Sequence, residues 1–101
     1  MTNVLQRESA VPLYAQLEQM TANPVVTLNR AVAVAMADGP LAGLGVLDGV
    51  QGLEEYHLFH STRGELLRRA GLPNREAFER ALALATNPAE RRHIRSRLEP
   101  S

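Results

Sequence analysis

The chain has no cysteine, no tryptophan and no lysine. Without cysteine there is no disulfide scaffold, no thiolate metal site and no thiol redox centre. A cysteine-free composition agrees with a reducing compartment, and a cytoplasmic location is expected. Aromatic residues are scarce: Tyr14, Tyr56, Phe59 and Phe78 are the whole set. The interior must therefore be aliphatic, built from Leu, Val and Ala, and Ala and Leu favour helix. No apolar run reaches the ~18 residues that cross a bilayer. Residues 1–10 are polar and mixed in charge, unlike a secretory leader. Ser9, Ser61, Ser96 and Ser101 sit in no nucleophile elbow, and no glycine-rich phosphate loop is present. No catalytic role, cofactor or membrane association is expected.

What is present is regular punctuation. Pro12, Pro24, Pro40, Pro73 and Pro88 each precede or open an apolar-periodic segment, and proline suits the first turn of a helix. Gly39 and Gly71 follow periodic segments, where helices commonly stop. Asn23 and Asn87 each stand before a proline as candidate N-caps. The pattern predicts an all-α chain of about six helices, over roughly 11–22, 24–37, 40–51, 54–70, 74–86 and 88–98, after a linker over 1–10. The segment 24–37 is the most hydrophobic and is expected to be central. In 40–51, Leu41, Leu44 and Leu47 are expected to face inward. Gly43, Gly45 and Gly49 there either admit a neighbouring helix closely or leave the helix frayed. Links of two to four residues imply antiparallel neighbours.

Gly39 and Gly71 are 32 positions apart, each between a longer and a shorter helix. A helix–turn–helix unit recurring near 34 residues is the tetratricopeptide period. His60, Arg63, Gly64 and Leu67, then Phe78 and Ala81, fall close to that repeat's positions, with about two residues deleted after Gly71 and with Arg63 in an apolar place. The expectation is a stack of antiparallel helix pairs over 11–99, closed by the last helix as a cap.

The formal charge is zero but uneven. Residues 1–62 carry two Arg against six acids, and residues 63–97 carry nine Arg against four Glu. Arg91, Arg92, Arg95 and Arg97 form a basic strip, read as a solvated face or as steering for an acidic partner. With no aromatic on that helix and no net charge, direct nucleic-acid binding is not expected. Asn29 and Arg30 interrupt the most hydrophobic helix. Arg30 is expected to pair with Asp48 or Asp38, either as a brace between two helices or as the polar floor of a groove. His57 and His60 share a helical face. They either pack at a helix contact or, with a third ligand such as Glu54, approach a metal site, and no metal is expected.

Residues 11–98 closely resemble the tetratricopeptide-like C-terminal extension of a group of extracytoplasmic-function RNA polymerase sigma factors. The resemblance lies in Asn23-Pro24-Val25-Val26 with Leu28-Asn29-Arg30-Ala31-Val32-Ala33-Val34-Ala35, Asp38-Gly39-Pro40, Ala42-Gly43-Leu44 and Leu47-Asp48. It continues through Tyr56-His57-Leu58, His60, Thr62-Arg63, Glu65-Leu66-Leu67-Arg68-Arg69, Ala81-Leu82-Ala83-Leu84 and Asn87-Pro88-Ala89-Glu90-Arg91. Gly64 departs from the more usual Ala, and the turn after Gly71 is short. Nothing in the chain corresponds to the polymerase- and promoter-binding modules of such factors. The resemblance implies a regulatory domain acting by protein contact with the sigma modules, the polymerase or a regulator. It makes the Asp38-Gly39-Pro40 turn a candidate contact. The candidate partner-binding set is Asn29, Arg30, Asp38, Gly39, Pro40, Asp48, His57, His60 and Arg63. A stand-alone adaptor or a small-ligand sensor are the alternatives.

Overall fold

The computed structural model describes residues 24–99. They form five helices: α1 (Pro24–Asp38), α2 (Pro40–Asp48), α3 (His57–Arg69), α4 (Arg75–Leu84) and α5 (Pro88–Leu98). No strand occurs among the described residues, which are all-α as the Ala- and Leu-rich periodicity implied. The helix expected over 11–22 and the Asn23 cap lie outside the described residues. The chain divides after Gln51 into two compact units.

In the first unit α1 packs against α2. A single residue, Gly39, joins them. Its amide donates to the Ala35 carbonyl at 2.9 Å, completing α1, and its φ of 99° and ψ of 162° reverse the chain. That combination is accessible essentially to glycine alone. Pro40 follows at the first turn of α2, where a missing N–H costs nothing. Leu28, Ala31, Val34 and Ala35 recur at steps of three and four and bury one face of α1, opposite Gly43, Leu44 and Leu47 of α2.

Three expectations are corrected here. Helix α1, the most hydrophobic segment and expected to be central, leaves Val25 and Val32 exposed. Leu41 does not face inward; it is 66% exposed. Of the three glycines, Gly43 is buried, but Gly45 is exposed with open space beside it and Gly49 ends α2 through a bond from its amide to the Val46 carbonyl. Helix α2 thus stops three residues before the sequence suggested.

In the second unit α4 packs against both α3 and α5. Phe78, Ala81, Ala85 and Ile94 form its innermost cluster, with Leu82 and Leu98 against it. Helix α3 begins at His57 because a turn precedes it, with the Tyr56 amide donating to the Leu53 carbonyl. The link over 49–56 is therefore longer than the two to four residues expected. Helix α3 ends in a Schellman motif: Gly71 N–H bonds the Arg68 carbonyl and Leu72 N–H bonds the Leu67 carbonyl. Asn87 caps α5 as expected, its side-chain oxygen accepting from the Ala89 and Glu90 amides at 2.8 and 3.2 Å.

Candidate interaction surface

Helical spacing places Val25, Asn29, Val32 and Met36 on one face of α1, and all four are exposed. The row ends at the Asp38-Gly39-Pro40 turn, and beyond it Leu41 opens α2. Met36 is 78% exposed, and Met36 and Leu41 are the two most exposed large apolar side chains among the described residues. They flank the turn on either side. The face is apolar apart from one amide, Asn29, and the exposed Asp38 stands between Met36 and Leu41 in the chain.

Asp38 is the last residue of α1 and Asp48 the last of α2, and both are exposed. Neither helix carries a basic residue in its last turn. A carboxylate at a helix C-terminus meets the negative end of the helix dipole, at a cost of about 0.3–1 kcal/mol. Neither acid is placed there by local stability. Arg30 is half-buried, and no ion pair joins it to Asp48 or Asp38; its polar interaction is elsewhere. Asn29 faces solvent. The brace between α1 and α2 expected through Arg30 is therefore corrected. One glycine between the helices leaves the Asp38 carboxylate at the outside of the bend.

His57, His60 and Arg63 belong to the second unit. The His57 ring meets Tyr56 edge-on at 5.6 Å. Its Nε2 is buried, 2.5 Å from Glu90 Oε2 on α5. No aligned hydrogen bond joins the two groups. His60 Nε2 donates to the Glu54 carbonyl at 2.9 Å, and its ring meets Phe59 edge-on at 5.1 Å. The two rings thus serve different contacts. No group of three His, Asp or Glu side chains suited to a metal ion occurs among the described residues.

The basic strip is also divided. Arg91 donates from Nη1 to the Leu82 and Ala85 carbonyls at 2.7 and 2.9 Å, closing the C-terminus of α4. Arg97 grips Glu65 of α3 at 2.6 Å. Only Arg92 and Arg95 remain as exposed cations on α5. Spacing shows which residues share a helix face, but the carbonyls and carboxylates these guanidiniums reach come from other helices.

Two clefts lie in the second unit. One, of about 260 Å³, is walled by His57, Leu58 and Ser61 of α3 and by Glu90, His93 and Ile94 of α5. The other, of about 520 Å³, runs between α3 and α4 past Phe59, His60, Arg63, Glu76, Ala77 and Arg80. Sequence reading found His60 and Arg63 of this set and missed the α4 wall, which nothing in the local pattern marks.

No protein-family model matches the chain, and no solved structure matches it. It is 46% identical over 90 residues to a protein of Rhizobium meliloti (strain 1021) described only as uncharacterized. That match covers 86% of this chain and 21% of the relative, so the chain spans about a fifth of the relative's length.

Proposed function

We propose that the chain is a regulatory protein-interaction domain of tetratricopeptide-like build, working within an extracytoplasmic-function sigma factor. It contacts its partner, one of the sigma modules, the polymerase or a regulator, through the strip that ends at Asp38-Gly39-Pro40. The observation that carries this reading is the exposure of Met36 and Leu41 on both sides of that turn. Solvated apolar side chains of this size contribute little to the fold, and contiguous ones mark contact surfaces. The acids at the two helix ends add to it, because residues that oppose a local rule without a compensating contact are expected at functional positions.

Three further points support the build and the context. Helix pairs α1–α2 and α3–α4 are each linked through a glycine of positive φ, Gly39 and Gly71, 32 positions apart and near the repeat's period. Helix α5 has one buried apolar residue, Ile94, and otherwise a wet outer face, as a terminal cap needs. The relative's length agrees with a domain used inside a larger polypeptide.

The test is transcription from a target promoter by the longer protein carrying Met36→Ser and Leu41→Ser together. Output should change at least about tenfold, the consequence of losing a contact worth ~1.4 kcal/mol, while the melting temperature holds. Unchanged output with an intact fold would reject this surface. Failure of the isolated domain to retain polymerase or sigma modules in a pull-down would reject the context.

A further inference from the structure

The groove between α3 and α4 is lined by charged side chains, not all of which are held by a partner. Around it, Arg80 is tied to Glu55 at 3.0 Å, and the Glu54 carboxylate accepts from the Gly52 amide at 3.3 Å. Arg75 is occupied by Glu79 one helical turn on. Arg63 and Glu76, one on each wall, have no hydrogen bond and no ion pair with any described residue, and none joins them to each other. Arg63 is half-buried. With no counter-ion, its planar fork is open to an arriving carboxylate.

We propose that this groove docks a mixed-charge peptide segment, with its carboxylate on Arg63, its cationic side chain on Glu76 and two apolar residues between them over Phe59 and Ala77. The occupant follows from charge complementarity. Two carboxylates, Glu54 and Glu76, line the same groove and repel nucleic acid and other polyanions. One unpaired charge of each sign selects a ligand carrying both. The volume, about 520 Å³, falls in the range of roughly 300–1,000 Å³ typical of binding clefts and exceeds what one side chain fills. The His60 ring on one wall is held by the Glu54 carbonyl. The inference rests on the protein-binding reading above, but it uses a different unit and different residues.

The experiment titrates the whole, isotope-labelled chain with acetyl-Glu-Leu-Leu-Lys-amide and follows backbone amide resonances. Saturable shifts confined to residues 59–63 and 76–80 are expected. Arg63→Gln and Glu76→Gln should each weaken binding at least about fivefold, a loss of ~1 kcal/mol. Arg63→Glu should abolish it, and acetyl-Lys-Leu-Leu-Lys-amide should bind Arg63→Glu better than it binds the wild type. Non-saturable shifts, or binding indifferent to both Gln variants, would overturn the proposal and leave an open, solvent-filled cleft. Since the Met36 and Leu41 surface is untouched in these variants, that result would leave the transcription test standing.

Discussion

Gly64 on α3 lies flat against the ring of Phe78 on α4: a Cβ at position 64 would stand 2.8 Å from ring carbons Cε1 and Cζ. Phe78 is fully buried, so its ring has no free space to enter. Gly64→Ala gains helix propensity of about 1 kcal/mol and loses roughly 1–3 kcal/mol to overpacking. The clash should win, and the variant should be about 1 kcal/mol less stable by chemical denaturation. Adding Phe78→Leu to Gly64→Ala should cost less than Phe78→Leu costs alone, because the alanine methyl fills part of the space the ring leaves. A Gly64→Ala protein as stable as the wild type would show that the ring moves freely.

Gly39 raises a different question, since a Cβ there meets nothing within 4 Å. Its requirement for glycine is conformational. With φ at 99° and ψ at 162°, Gly39→Ala should cost about 1–3 kcal/mol with no steric contact to relieve. Thermal melts of Gly39→Ala beside Gly45→Ala separate the cases. Gly45 sits in mid-helix with open space, so its alanine variant should gain stability, by up to about 1 kcal/mol.

The Arg97–Glu65 pair joins α5 to α3 through two bonds, at 2.6 and 3.5 Å, and both side chains are largely covered. The Arg75–Glu79 pair is solvent-exposed on one helix. Double-mutant cycles should give a coupling of about 1–2 kcal/mol for the first and roughly 0.3–0.5 kcal/mol for the second. Raising the salt concentration should erase the second and spare most of the first. Equal couplings would mean that the Arg97 pair is no better shielded from water than the other.

The helices were legible in the sequence because their signals are local. Proline at the start of α2 and α5, glycine after α1 and α3, and apolar steps of three and four all act within one turn of chain. The position of Gly64 was also readable, but the reason for it was not. The ring it accommodates belongs to a residue fourteen positions later, and only packing brings the two together. The same limit explains the misplaced arginines. Arg91 and Arg97 looked like members of one solvated strip, because their periodicity on α5 does not encode the carbonyls of α4 or the carboxylate of Glu65. For Leu41 the difficulty is another: its spacing to Leu44 and Leu47 is that of a core residue. Spacing alone does not show that Leu41, next to the one-residue link, is left uncovered at 66% exposure.

That exposure makes a stability prediction. Met36 and Leu41 bury little surface, so replacing either with Ser removes almost no apolar contact. The expected change is the helix-propensity difference, within about 0.5 kcal/mol per site. Leu44→Ser is the control. It has the same chemistry at a buried position one turn along α2 and should lose about 2–5 kcal/mol from cavity formation and the unpaired hydroxyl. Denaturant midpoints of the three variants read this directly. If Met36→Ser or Leu41→Ser destabilised the chain as much as Leu44→Ser, those side chains would belong to the core, and the strip at the turn would have no surface to offer a partner.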